Sequence, residues 1–124
     1  MDNDPDHTLT VVKGSCTTAA TGQSARFDGG KLTEFEFDDF VNGSGMVKGY
    51  DFETYKDAST EADRYDGIII TTMVNGKPEW SGQGTWEMTR GTGSLANAQQ
   101  RGTWKGVPTS DTEYVVEWEG TLTE

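Results

Sequence analysis

Polar and apolar positions alternate with a period of two through much of the chain, and two Asn-Gly pairs punctuate the alternation. The runs YDGIIITTMV and KPEWSGQGTWEMTR flank Asn75-Gly76. Asn-Gly tolerates the positive φ angles of a type I′ turn, whose twist suits antiparallel strands. A two-residue turn also fixes the register. Val74 then faces Lys77, Met73 faces Pro78, Thr71 faces Trp80 and Ile69 faces Gly82. Directly paired residues share a side of the sheet. One face therefore carries Ile69, Thr71, Met73, Trp80, Gly82, Gly84, Trp86 and Met88; the other carries Ile68, Ile70, Thr72, Ser81, Gln83, Thr85 and Glu87. Two tryptophans and two methionines mark the first face as the inner one, although Ile68 and Ile70 argue for the second. Arg90, in phase with Met88, either caps the mouth of the fold or faces water.

The same logic applies around Asn42-Gly43, flanked by KLTEFEFDDFV and SGMVKGYDFETYKD. Val41 is expected opposite Ser44, Asp39 opposite Met46, Phe37 opposite Lys48, Phe35 opposite Tyr50 and Thr33 opposite Phe52. That face is aromatic, with Asp39 and Lys48 as diagonal neighbours that pair near a rim. The opposite face holds Glu34, Glu36, Asp38, Asp51 and Glu53. The segregation predicts a half-buried antiparallel sheet with the rings inside and the carboxylates in water. A divalent cation bridging Glu34 and Asp51 is the alternative, but no glycine-rich ligand loop accompanies them.

The remaining chain supplies further short strands. TLTVVKGSC, Thr8 to Cys16, reads as the first strand, and Ser24 to Asp28 as a short second one. Ala58 to Arg64 reads as a loop or one helical turn, and SLANAQQ as a short turn with helical character. A strand carrying Trp104 follows. The last strand, residues 112 to 122, sets Tyr114, Val116, Trp118 and Leu122 against Glu113, Glu117 and Glu119. About eight strands joined mostly by short turns predict an all-β fold, an antiparallel eight-stranded up-and-down β-barrel. Residues 1–7 are expected as a flexible tail and 8–124 as one barrel domain.

Composition narrows the function. The chain has 124 residues, of which 32% are hydrophobic, and a net charge of −11. That charge argues against nucleic acid and against anionic membranes, both of which recruit basic residues; it favours solubility or a salt-adapted source. No apolar run approaches a membrane span. The start, MDNDPDH, lacks the basic and apolar regions of a secretory signal, so a cytoplasmic location is the default expectation. Cys16 is the single cysteine and cannot form an internal disulfide.

Hydrolytic chemistry finds little support. Asp2, Asp4 and Asp6 imitate the start of a calcium loop, but His7 and Lys13 stand where its glycine and glutamate belong. His7 is the one histidine and falls in the expected tail, which disfavours a Cys16–His7 pair, a serine triad and a zinc site. Glycines 91, 93 and 102 do not open a helix after a parallel strand, so no phosphate loop is read. Glu117 and Glu119 could form a glycosidase pair, but their alternation with apolar residues favours an exposed face. Asn42-Gly43-Ser44 matches a glycosylation acceptor, but it sits in an expected tight turn and matters only in a secreted protein. No metal and no cofactor are expected.

The segment GTGSLANAQQRGTWKG, residues 91 to 106, follows a glycine-rich strand and precedes a final alternating one. It resembles the C-terminal half of allene oxide cyclase-like barrels, a group that includes allene oxide cyclases, dirigent proteins, spirotetronate cyclases and bacterial families of unknown function. The likeness covers residues 65 to 122 best and implies a barrel; members cyclise unsaturated small molecules, guide radical coupling or have no known activity. No member's catalytic residues map onto this chain.

The residues themselves point to an aromatic interior. Phe35, Phe37, Phe52, Met73, Trp80, Trp86, Met88, Trp104, Tyr114 and Trp118 are the candidate ligand-binding set, interrupted by glycines that leave room. A packed core is the competing reading. Asp39, Lys48 and Tyr50 place polar groups among the rings and are the candidate catalytic set, with Lys48 or Tyr50 donating to a substrate carbonyl. The expected function is binding of a small apolar or polyene-like molecule, with cofactor-free cyclisation or isomerisation by holding the substrate folded. A non-catalytic carrier and a filled structural or interaction barrel are the alternatives, and a homo-oligomer is compatible with each.

Overall fold

Both Asn-Gly pairs turn the chain as type I′ corners in the computed structural model. Asn42 and Gly43 have φ angles of 53° and 78°, and Asn75 and Gly76 have 52° and 78°. The structure describes residues 6–20 and 22–123. The first corner joins β2 (Lys31–Val41) to β3 (Ser44–Thr54), and the second joins β4 (Thr60–Val74) to β5 (Lys77–Gly91). Both registers follow from the turn length: Val41 pairs with Ser44 and Phe35 with Tyr50, Val74 with Lys77 and Ile69 with Gly82. With β1 (His7–Thr17), β6 (Gln99–Pro108) and β7 (Tyr114–Thr123), the strands form one seven-stranded antiparallel sheet in chain order. β1 and β7 do not pair, so the sheet is not closed.

Several boundaries differ from the sequence expectation. Ser24 to Asp28 is not a strand: Gly22–Phe27 forms a 3-10 helix. Its backbone bonds are local, from Asp28 N–H to the Ala25 carbonyl at 3.1 Å and from Gly30 N–H to the Phe27 carbonyl at 3.3 Å. The reward for leaving the ladder is burial of Phe27, whose ring lies 5.1 Å from Tyr55 and 6.1 Å from Trp118. β4 starts at Thr60, so most of the expected 58–64 loop is strand. His7 opens β1 opposite Val41 and is not tail. Asp2 and Asp4 of the calcium-like motif lie outside the described residues.

Strand pairing sorts the side chains onto two faces. A packed face carries Glu34, Glu36 and Asp38 on β2; Val47, Gly49, Asp51 and Glu53 on β3; and Glu61, Asp63, Tyr65 and Gly67 on β4. It continues through Gly84, Trp86 and Met88 on β5, Gly102 and Trp104 on β6, and Trp118 and Gly120 on β7. The other, open face carries Phe35, Phe37, Met46, Lys48, Tyr50, Phe52, Ile68 and Ile70. A bulge at Thr89 lets Arg90 pair with Ala62, which puts Arg90 on the open face and out of phase with Met88.

Rings on the packed face lie across glycines. Trp104 passes over Gly84 and donates its indole N–H to the Asp66 carbonyl two strands away, at 3.1 Å. Trp86 passes Gly102 and reaches the Glu119 carbonyl at 3.3 Å. Tyr65 lies over Gly49 and donates to Glu36 at 3.0 Å. The buried apolar residues form two clusters. Val47, Trp86 and Trp104 make one; Phe27, Tyr55, Met88, Leu95 and Ala98 make the other. Much apolar surface stays outside them. The chain exposes 8606 Å², whereas a compact monomer of this length exposes about 6,600 Å².

This packing separates two glycines that look alike in sequence. A methyl group on Gly84 would sit 1.9 Å from the Asp66 carbonyl oxygen and 2.7 Å from the Trp104 indole nitrogen. One on Gly106 would meet nothing closer than 3.5 Å. Gly84→Ala is expected to cost about 2–3 kcal/mol or more in urea unfolding, and Gly106→Ala less than about 1 kcal/mol. Equal losses would contradict the ring-over-glycine arrangement.

Candidate functional site

The open face bears a cavity of about 1090 Å³, and its lining includes residues of every strand. Val11 comes from β1, Phe35, Phe37 and Asp39 from β2, and Met46, Lys48 and Tyr50 from β3. Arg64 and Asp66 come from β4, Thr85 and Glu87 from β5, Arg101 and Thr103 from β6, and Thr121 from β7. Between these, the strands present Glu36, Tyr65 and Trp86. The rings are accessible, Phe35 at 51% and Tyr50 at 67% of full exposure. The Lys48 ammonium stands 5.8 Å from the centre of the Phe37 ring, and Lys13 stands 5.7 Å from that of Phe35. Such placements are modestly attractive at exposed sites. Arg64 pairs with Glu87 through Nε and Nη2. Asp39 does not pair with Lys48 as the diagonal predicted; its carboxylate holds the His7 ring at 2.6 Å.

The packed face gathers carboxyl groups. Glu34, Glu36, Asp38, Asp51, Glu53, Glu61 and Asp63 share it with the tryptophans. The expectation of a solvated outer acidic face is therefore overturned, since Asp38 is 7% exposed and Glu53 3%. The reason is register: Gly49 pairs with Tyr65 and Asp51 with Asp63, so the acidic side of one hairpin continues into the tryptophan side of the next. Tyrosines answer part of this charge. The Tyr55 hydroxyl donates to Glu53, Tyr65 to Glu36, and Tyr114 of β7 reaches across to Glu34 of β2. Gln100 donates to Glu61 at 2.6 Å. Oδ1 of Asp38, of Asp51 and of Asp63 is buried without a hydrogen-bond partner.

Burial, reinforced by neighbouring carboxylates, raises several of these groups above the ordinary carboxylate range. Asp51 is pushed up to about 7 by desolvation, then by the charges of Glu34, Glu53 and Glu61. Desolvation and a hydrogen bond with Asp38 raise Glu36, and desolvation and a hydrogen bond with Glu61 raise Asp63. Burial raises Glu53 despite the Tyr55 hydroxyl. The Cys16 thiol is also pushed up, first by desolvation and then by Glu34, which makes it a poor nucleophile. Carboxyls protonated near neutrality can donate as well as accept protons. Among the described residues, no three Asp, Glu, His or Cys side chains are arranged to hold a metal ion.

The predicted site residues are thus divided. Phe35, Phe37, Asp39, Lys48, Tyr50 and Trp86 come together around the open-face cavity. Phe52 shares that face but does not line the cavity. Met88, Trp104 and Trp118 belong to the packed face, with Trp118 set edge-on to Trp86 at 5.5 Å. Trp80 packs against Tyr114 at 6.2 Å, and Met73 is exposed near the Asn75-Gly76 corner. A single shared interior of all ten rings and methionines is therefore corrected to two faces. Arg64, Arg101 and Thr103 carry no signal in the sequence that would place them here, because no turn fixes the register between β3 and β4 or between β5 and β6. Glu117 and Glu119 are exposed on β7.

No family model matches the chain, and neither a curated protein nor a solved structure is similar to it. No helix among the described residues is long and apolar enough to cross a membrane.

The carboxyl row sets a direction for pH dependence. A carboxyl whose folded value is raised binds its proton more tightly folded than unfolded, so its contribution is complete below the ordinary carboxylate range. It is lost as pH rises through 7 and beyond. The melting temperature is expected to fall by roughly 5–10 °C between pH 5 and pH 8.5. Asp51→Asn, a mimic of the protonated group, should flatten that slope. A melting temperature that rises over this interval would show the acids to be ionised and stabilising.

Proposed function

We propose that this chain binds a small, largely apolar organic molecule in the open-face cavity. One observation carries the reading: a hollow of about 1090 Å³ to which all seven strands contribute, with Phe35, Phe37 and Tyr50 unburied beside it. Exposed apolar surface of this extent marks a binding surface more often than an idle one. Ligand sites characteristically join apolar walls to a few polar groups, here Lys48, Asp39 and the Tyr50 hydroxyl. The same reading takes the seven strands as the greater part of an eight-stranded barrel of the allene oxide cyclase type. Support for that comes from residues 91–106 and from the seven antiparallel strands that follow one another in chain order.

A second reading adds catalysis. Lys48 and Tyr50 lie in the same cavity as the rings, so a folded substrate could present a carbonyl to either donor. Cyclisation or isomerisation would then follow from holding the reacting atoms together, without a cofactor. In that case Tyr50→Phe would lower turnover while preserving ligand affinity.

Binding is tested first with the neutral fluorophore N-phenyl-1-naphthylamine. Its emission is expected to rise saturably on titration, and Phe35→Ala combined with Tyr50→Ala should weaken binding about tenfold, in line with the loss of anchoring rings. Absence of saturable binding to the folded wild-type chain would reject the proposal.

A further inference from the structure

We infer that the cavity's ligand is an organic monoanion with a flat aromatic body, its charge held by Lys48 and Arg101. The inference rests on the small-molecule reading above. It starts from the distribution of charge. Of ten lysines and arginines, Arg26 and Lys56 lie outside the strands, and the other eight all project from the open face. Among the described strand residues, the formally charged groups of the packed face are all acids.

Three of the cations line the cavity: Lys48, Arg64 and Arg101. Arg64 is committed to Glu87 by two of its nitrogens. Arg101 stands opposite the same Glu87, whose Oε1 is already taken by Arg64. Lys48 stands opposite Asp66. Among the described residues, neither Lys48 nor Arg101 forms an ion pair within 4.0 Å. The lining acids are better occupied. Asp39 holds His7, Glu87 holds Arg64, and Asp66 accepts the Thr85 hydroxyl at 3.2 Å. Two cations without an ion pair thus face a hollow walled by rings.

The chemistry of these groups selects the ligand. A guanidinium presents paired N–H donors that match a carboxylate or sulfonate. Flat rings beside it favour a flat partner, which can stack offset or edge-on. The net charge of −11 repels anions at long range, so selectivity has to arise from direct charge-assisted contacts with Lys48 and Arg101.

Three probes of one shape decide the matter: 2-naphthoate, 2-naphthylmethanol and 2-naphthylmethylammonium, titrated calorimetrically against the whole chain. Naphthoate is expected to bind about tenfold more tightly than the alcohol, a charge-assisted gain of ordinary size, with the ammonium weakest. Arg101→Met and Lys48→Met should each bring naphthoate toward the alcohol's affinity, with circular dichroism confirming that the sheet is kept. Equal binding of acid and alcohol, or tightest binding of the ammonium, overturns the anion inference and leaves the cavity reading standing. No binding of any probe overturns both.

Discussion

The structure depends on large rings that cross glycines of the neighbouring strand. A β-strand usually holds its neighbour about 4.8 Å away, with side chains standing off the surface. Here Trp104 crosses Gly84, Trp86 crosses Gly102 and Tyr65 lies over Gly49, and each ends in a hydrogen bond two strands on. Only a missing Cβ leaves space for this, and only a ring with a polar edge can be satisfied at its far end. The alternation of glycine and tryptophan along β5 and β6 is therefore a packing code. Burying Trp86 and Trp104 in this way supplies one of the two apolar clusters of a chain whose hydrophobic fraction is low.

The same face has to absorb its acids. Seven carboxyls on adjacent strands could not all stay ionised beside indoles, because desolvation and mutual repulsion act in the same direction. The raised proton affinity of Glu36, Asp51, Glu53 and Asp63 eases that conflict, and tyrosine hydroxyls ease it further: Tyr55 serves Glu53, Tyr65 serves Glu36, and Tyr114 serves Glu34. The phenols themselves are pushed far from ionisation by burial and by these neighbours, so they remain donors. This face is occupied by its own polar network, which leaves the opposite face as the one with accessible rings and with Lys48 and Arg101, which form no ion pair among the described residues.

What could be read in advance was local. Each Asn-Gly corner gives a register and hence the two faces of its hairpin, and both hairpins formed as expected. The relation between hairpins was not readable. The link from Thr54 to Thr60 contains no two-residue turn, and it alone decides whether Phe35 or Glu36 lies on the side of Trp86. Ordinary hydrophobic reasoning sends the phenylalanines inward; the pairing of Gly49 with Tyr65 sends them out. Ile68 and Ile70 carried the one hint, since their face is also the face of Phe35 and Tyr50. The Thr89 bulge displaced Arg90 by the same kind of single-residue step, which alternation cannot foresee.

The two faces are coupled by their common backbone. The segment of β3 that carries Lys48 and Tyr50 toward the cavity carries Gly49 on the other side, where Tyr65 presses against it. Thr85 and Glu87 of the lining flank Trp86, and Arg101 and Thr103 flank Gly102. Rings and glycines therefore fix the strand positions from which the cavity residues project. A side chain added at Gly49 would meet the Phe35 carbonyl oxygen at 2.3 Å and the Tyr65 hydroxyl at 2.6 Å, and relief would have to come from the backbone between Lys48 and Tyr50. The side chains that project into the cavity from the open face are thus placed by packing on the other side of the sheet.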